Sequence, residues 1–230
     1  MKFGGLQKLT LLDYPEHVAC IIFTMGCNFR CPFCHNNSLV TGNFSSEESI
    51  SEEEVLEFLK KRKSMLEGVV ITGGEPLIHA GIEDFIRKVK NLGYKVKLDT
   101  NGAFPDRLKE LVEAKLVDYV AMDIKNSRER YGRTAGCAVD LDDVGKSVEY
   151  LKSGAVDYEF RTTVTGTFHT ESSIEMTAKW LSGAKRWYLQ QFVDSGDLID
   201  STVTGCDLDT LKKYQQIAQK YVENTQLRGI

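Results

Sequence analysis

The sequence predicts an α/β fold, an incomplete (βα)6 barrel of parallel strands, as one domain over residues 1–230. Three observations lead there. Short apolar runs of strand length alternate with amphipathic stretches of helical period, the pattern of parallel βα units joined by right-handed crossovers. Six such units can be read, fewer than the eight that close a full barrel. Polar residues recur at the C-terminal ends of the strands, where barrel active sites gather: Thr24, Thr72, Asp99, Asp123, Thr163 and Gln190.

Residues 1–16 read as an N-terminal extension. His17 to Thr24 is a near-continuous apolar run, as in a strand buried on both faces. A cysteine-bearing loop, residues 25–40, follows it directly, and Thr41 to Ser49 reads as a polar loop. Ser51-Glu52-Glu53-Glu54 is a capping box opening a helix with Val55, Phe58 and Leu59 on one face. The basic run Lys60-Lys61-Arg62-Lys63 falls at the end of that helix, where cations complement the dipole. Gly68 to Thr72 is the second strand and runs into Gly73-Gly74-Glu75-Pro76. Ile82, Phe85, Ile86 and Val89 mark a helix stopped by Gly93, and Tyr94 to Asp99 the third strand. Leu108, Leu111 and Val112 mark the next helix, and Val117 to Met122 the fourth strand. Val144, Val148 and Leu151 lead to a stop at Gly154, followed by strand five, Tyr158 to Val164. Ile174, Ala178 and Leu181 precede strand six, Arg186 to Phe192. A last helix carries Leu211, Tyr214, Ala218 and Tyr221. Wrapped by right-handed crossovers, these six units make an incomplete, TIM-like barrel.

The bulk composition narrows the function classes. A net charge of −4 provides no basic field for nucleic acid or an anionic membrane. No apolar run approaches the roughly 20 residues that span a bilayer, and the start does not resemble a signal peptide. A reducing cytoplasm is the expected compartment. Of six cysteines, Cys27, Cys31 and Cys34 lie within eight residues while Cys20, Cys137 and Cys206 are scattered, which is metal-site rather than disulfide usage.

Three thiolates on one compact loop suit three corners of a four-iron cluster, whose fourth ligand must come from elsewhere. Two other readings fit the same residues: a Cys3His zinc site using His35 or His17, and a cluster closed by Cys137 or Cys206. On strand five Glu159, Arg161 and Thr163 alternate with Phe160, Thr162 and Val164, so one face of a buried strand carries charge. Arg161 therefore needs an anionic partner, either a ligand carboxylate or Glu159.

The Cys27 to Cys34 run has Phe33 before its last cysteine, and Gly73-Gly74-Glu75-Pro76 follows one βα unit later. Together they resemble the radical S-adenosylmethionine enzymes. Asp99-Thr100-Asn101-Gly102 and Met122-Asp123-Ile124-Lys125 resemble strand ends of the subgroup that activates glycyl radical enzymes. Gly5 to Pro15, Cys34-His35-Asn36, Asp157 to Thr163, Tyr188 to Phe192 and Gln226 to Gly229 resemble the compact activators of anaerobic ribonucleoside-triphosphate reductase.

The resemblance implies that Cys27, Cys31 and Cys34 hold a [4Fe–4S] cluster and that S-adenosylmethionine chelates its open iron. It implies adenine near Phe33, the methionine amino group at Gly73, Gly74 and Glu75, and further cofactor contacts from Thr100, Asp123 and Lys125. Arg161 would take the cofactor carboxylate, and Gln190 the adenine or ribose, with Gln190 or Gln191 turned outward. Asp99 and Asp123 would hold a monovalent cation, or else cap the helices that follow them. Asp13 would seat the partner's glycine loop, or else serve its turn. His35 and Asn36 would meet the partner. The implied reaction is reductive cleavage of the cofactor to a 5′-deoxyadenosyl radical that takes the α-hydrogen of a glycine in the partner enzyme, with flavodoxin or ferredoxin as electron donor.

Two departures bear on the partner. No cysteine lies between Cys34 and Cys137, so the ferredoxin-like insert of larger activators is missing. Gln190-Gln191-Phe192 stands where pyruvate formate-lyase activators typically carry a His. An activator of that lyase, or a radical enzyme modifying a peptide or small molecule, would share the same cofactor residues.

Overall fold

The computed structural model describes residues 1–42, 49–194 and 196–230. Most of the predicted Thr41 to Ser49 loop thus lies outside the described residues. Chain order gives β1 (Lys2–Phe3), β2 (Gly5–Thr10), β3 (Ala19–Thr24), α1 (Asn37–Thr41), β4 (Ile50–Ser51), α2 (Glu52–Arg62), β5 (Gly68–Gly73), α3 (Ile82–Asn91), β6 (Lys95–Thr100) and α4 (Pro105–Glu113). Then come β7 (Tyr119–Asp123), α5 (Tyr131–Ala135), α6 (Leu141–Lys152), β8 (Asp157–Val164), α7 (Glu171–Trp180), β9 (Trp187–Gln191), α8 (Leu208–Gln219) and β10 (Thr225–Arg228).

The six predicted strands are β3, β5, β6, β7, β8 and β9. They lie side by side in chain order, all parallel. Parallel neighbours joined through helices put every strand's C-terminal end on one rim. The capping box forms as expected: Glu54 N donates to Ser51 Oγ at 3.2 Å and Ser51 N to Glu54 Oε2 at 2.8 Å.

Two strands extend the sheet beyond the expected six. β2 pairs antiparallel with β3, and β10 pairs parallel with β9, giving one open sheet of eight strands among the described residues. Within residues 1–16, Gly5–Thr10 thus joins this sheet, while Lys2–Phe3 pairs with β4 in a separate two-stranded sheet. β2 escapes sequence reading because it is an edge strand, and its middle residues Gln7, Lys8 and Leu9 are exposed. β10 escapes because four residues carry too little pattern; Arg228 fixes it through Glu159, at 2.8 and 3.1 Å. Strand one starts two residues later than predicted, at Ala19.

The sheet separates two cores. Outward-facing side chains such as Ile22, Ile71, Leu98, Met122, Phe160 and Leu189 pack against the helices. The inner face is apolar only at one end, where Tyr14, Ala19, Ile21, Val70 and Tyr119 cluster. Across from them β6 and β8 point Lys97, Asp99, Glu159 and Arg161 inward, and the charged part of the interior leads up to the C-terminal rim. Among the described residues no helix is long and apolar enough to cross a membrane.

Candidate functional site

The loop after β3 is tied to its surroundings at both ends. Gly26 N donates to Leu39 O at 2.8 Å, and Gly26 O accepts from Glu75 N at 2.9 Å. Arg30 N reaches Ala135 O at 2.9 Å, which seats the loop on the end of α5, and Asp200 N reaches Pro32 O at 2.9 Å. Phe29 packs edge-on to Tyr131, and Phe33 packs on Phe168. Backbone bonds and rings thus hold Cys27, Cys31 and Cys34 over the barrel mouth.

The turn after β5 fits only glycine. Gly73 has φ of 109°, and a Cβ there would lie 2.5 Å from Thr24 N and O. A Cβ on Gly74 would lie 1.7 Å from Gly26 O, so this turn and the cysteine loop meet backbone to backbone. Asn36 Nδ2 crosses between them and donates to Gly73 O at 3.1 Å.

These parts enclose a cleft of about 240 Å³ at the C-terminal rim. Cys27, Cys31, Cys34, Phe33, His35 and Asn36 line it from the loop, and Gly73, Gly74 and Glu75 from the turn. Asp99, Thr100, Asp123, Lys125, Arg161 and Gln190 line it from the strand ends. Of the six polar strand ends, Thr24 alone is not in this lining; its hydroxyl donates to Thr72 O at 2.9 Å and ties β3 to β5. Gln190 faces the cleft, whereas Gln191 Nε2 turns to Cys206 O at 3.4 Å. His35 lies stacked on Phe192.

Asp13 is not brought to the cleft. β2 runs antiparallel to β3 with Thr10 opposite Ala19, which puts the following turn at the other end of the barrel from the cysteines. There Asp13 is exposed, accepts a hydrogen bond from Thr10 Oγ1, and donates its own N–H back to that oxygen at 3.2 Å. It serves its turn.

The electrostatics divide the cleft in two. On the strand side charges alternate. Arg161 donates from Nη1 to Asp99 Oδ2 and from Nε to Asp123 Oδ1, both at 2.9 Å. Lys125 Nζ donates to Asp123 Oδ2 at 3.1 Å, and Lys97 Nζ lies 2.9 Å from Asp99 Oδ1. Burial pushes both carboxyls up, but the neighbouring cations overcome it; Asp99 is held below its ordinary range and Asp123 at about 2. The guanidinium thus bridges the two carboxylates. Arg161 does not pair with Glu159, whose carboxylate accepts from Arg228 and from Tyr119 Oη at 3.0 Å.

On the loop side the groups lack strong counter-charges. Burial pushes the Cys27 thiol up to about 11 and the Cys31 thiol to about 12, and raises Cys34 as well, with Lys125 pulling each of them down. Burial also pushes Glu75 up to about 7, against hydrogen bonds from Asn101 N (2.7 Å), Leu77 N (3.0 Å) and Thr100 Oγ1 (2.9 Å). A carboxylate offers about four acceptor positions, so these three bonds leave room for one more donor.

The donor set fits a four-iron cluster. The three thiols share one cleft, and each of their pairings raises a thiol pKa through like charge, as expected of close neighbours. Among the described residues no three Cys, His, Asp or Glu side chains converge on a single ion. Three thiolates on one loop suit three corners of a four-iron cluster.

Sequence reading assigned no role to several residues that the fold brings to this rim. Thr72, Thr163 and Asn101 line the cleft. His169, buried and neutral with its pKa lowered to about 4 by burial, bonds through Nε2 to Lys125 O at 3.0 Å. Asn101 stood inside a quoted motif; His169 carried no signal beyond its own identity.

The radical SAM superfamily model matches residues 21–181. A Methanocaldococcus jannaschii protein, provisionally named a glycyl-radical enzyme activating enzyme, is 31% identical over 99% of this chain and 95% of its own length. The pyruvate formate-lyase-activating enzyme of Clostridium pasteurianum is 29% identical, over 54% of this chain and 52% of its own. Among solved structures, Streptococcus suis SuiB bound to S-adenosylmethionine superposes with a TM-score of 0.70 at 17% identity. That match covers 89% of this chain and 48% of SuiB, a likeness of fold to about half of the larger protein. With its family model spanning most of the barrel and an end-to-end relative above 30% identity, the chain belongs to the radical SAM superfamily, an enzyme family whose cofactors are a [4Fe–4S] cluster and S-adenosylmethionine.

Proposed function

We propose that this radical SAM enzyme activates a glycyl radical enzyme, and that its partner is the anaerobic ribonucleoside-triphosphate reductase. The observation that carries the activating role is the end-to-end match to the Methanocaldococcus jannaschii protein; the choice of the reductase rests on the sequence resemblance. The segments Gly5 to Pro15 and Gln226 to Gly229, which resemble the reductase activators, include β2 and most of β10, the two edges of the open sheet.

The residue roles follow the chemistry of the cleft. Cys27, Cys31 and Cys34 would hold the cluster. Gly73, Gly74 and Glu75 would take the amino group of S-adenosylmethionine, Glu75 with its remaining acceptor position. Lys125 and Arg161 would attract the carboxylate, and Thr100, Asp123, Gln190 and Phe33 would orient the nucleoside. His35 and Asn36, at the cluster loop, would face the partner. When bound and reduced by a flavodoxin or ferredoxin, the cofactor pair supplies a 5′-deoxyadenosyl radical able to take a glycine α-hydrogen. The chain's own task is to orient the cofactor and exclude water.

The test mixes the reduced, cluster-loaded protein anaerobically with S-adenosylmethionine and the reductase, and in parallel with pyruvate formate-lyase. A glycyl doublet by electron paramagnetic resonance with the reductase is the expected result. A doublet with the lyase alone would reassign the partner. 5′-Deoxyadenosine with no doublet from either would favour a peptide or small-molecule substrate.

A further inference from the structure

Asn101 sits at the end of β6, 6% exposed, in the lining of the cleft. Its Oδ1 accepts from Ala103 N at 3.0 Å, which fixes the orientation of the amide, since only the oxygen can accept there. The NH2 group therefore faces the cysteine loop. Nδ2 donates to Asn28 Oδ1 at 2.8 Å and lies 3.9 Å from Cys27 Sγ. Phe29 N donates to the same sulfur at 3.3 Å. The Asn101 backbone N–H is bound to Glu75 Oε2 at 2.7 Å, so one residue joins the Gly-Gly-Glu turn, β6 and the first cysteine.

We propose that Asn101 is a positioning residue for the cluster, donating one N–H toward the Cys27 thiolate while Asn28 anchors the other. The inference rests on the cluster that the family supplies and is independent of which partner is activated. As a thiol, Cys27 Sγ lies 3.9 Å from Asn28 Oδ1 as a donor. As a thiolate it becomes an acceptor only, and the second Asn101 N–H is the side-chain donor placed to meet it. Hydrogen bonds to cluster sulfurs stabilise the reduced, more negative state and so raise the reduction potential. The contact also fixes the rotamer of the first ligand. Asn101 is thus a lever on how readily the cluster is reduced, held at the end of β6 rather than by the loop itself.

The test is an equilibrium redox titration of the anaerobically reconstituted holoprotein, read by electron paramagnetic resonance of the reduced cluster, with iron and sulfide content measured alongside. Asn101→Ala is expected to retain the cluster and to lower the equilibrium constant for its reduction about tenfold, equal to roughly 59 mV for a one-electron couple. Asn101→Asp, nearly the same shape without an N–H, is expected to lower it further. Asn28→Ala keeps the donor and is expected to shift it less than either. A wild-type potential in Asn101→Ala or Asn101→Asp with four irons per chain overturns the proposal. If neither variant takes up a cluster, the melting temperature of the metal-free protein decides: an unchanged value supports the positioning role, and a collapse assigns Asn101 to the fold and overturns it. The titration reads the cluster alone, so a missing glycyl doublet would leave its result standing.

Discussion

Two cavities of similar size sit at opposite ends of this barrel, about 240 Å³ at the C-terminal rim and about 260 Å³ at the N-terminal rim. Both are polar and lined by ionisable groups, yet they differ in what those groups are paired with. At the N-terminal rim acids meet bases: Asp118 takes Lys90 at 2.6 Å, and Asp157 takes Lys185 at 2.7 Å and Arg186 at 2.6 Å. At the C-terminal rim three thiols have Lys125 as the cation that lowers all of them, Glu75 is surrounded by neutral donors, and glycine backbones pack where no side chain fits. Polarity therefore does not distinguish the ends. Soft ligands, an acceptor position left on a buried carboxylate and close backbone approach do.

The largest expected effect breaks the contrast outright. Cys31→Ala should leave too few thiolates for the cluster, so reconstituted iron content and 5′-deoxyadenosine formation should both fall to background; normal cofactor cleavage would refute the assignment of the three cysteines. Next comes Arg161→Met, which strands Asp99 and Asp123 without their bridge. Loss of one partner from a buried pair costs about 3–5 kcal/mol, to be read from urea unfolding of the metal-free protein. A loss under 1 kcal/mol would mean that solvent screens the bridge. Gly74→Ala forces a methyl against Gly26 O and should cost about 1–3 kcal/mol with weakened S-adenosylmethionine binding, measured by calorimetry on the holoprotein.

The pH dependence sharpens the contrast within the C-terminal cleft. Asp123 has its folded pKa lowered to about 2 from 3.8, so its stabilisation is present above pH 4 and is lost as pH falls toward 2. Glu75 behaves oppositely. Its folded pKa is raised to about 7 from 4.5, so between those values the native state holds a proton that the unfolded chain has released, and stability falls as pH rises toward 7. Urea midpoints of the metal-free protein across pH 2–8 should show both limbs, and Glu75→Gln should flatten the upper one.

The smallest effect belongs to the opposite end. Asp13→Ala removes a turn bond at the N-terminal rim and should cost about 1 kcal/mol, with cofactor cleavage and glycyl radical yield unchanged. Loss of partner activation alone would return Asp13 to a seating role.

Much of the site was legible because its chemistry is local. The spacing of Cys27, Cys31 and Cys34 lies within one loop, and Gly73 to Glu75 within one turn, so no long-range placement was needed to recognise either. The six central strands were legible for a related reason: strands covered on both faces read as apolar runs. β2 and β10 were not, because an edge strand and a four-residue strand are held by pairing rather than by pattern. The placement of Asp13 was not legible, for want of direction. Only the antiparallel course of β2 shows that its turn lies at the far rim.

By itself the sequence determined the ligand chemistry and the order of βα units, since both are written in short covalent spacing and in hydrophobic period. The tertiary structure decided the partners. Arg161 could have paired with Glu159 on its own strand. It meets Asp123 and Asp99, 38 and 62 residues away, because the parallel register turns these side chains into the same interior. Asn101 reaches the first cysteine across 74 residues for the same reason. Spacing along a chain fixes what a loop can bind, whereas strand register fixes which distant side chains share its surroundings.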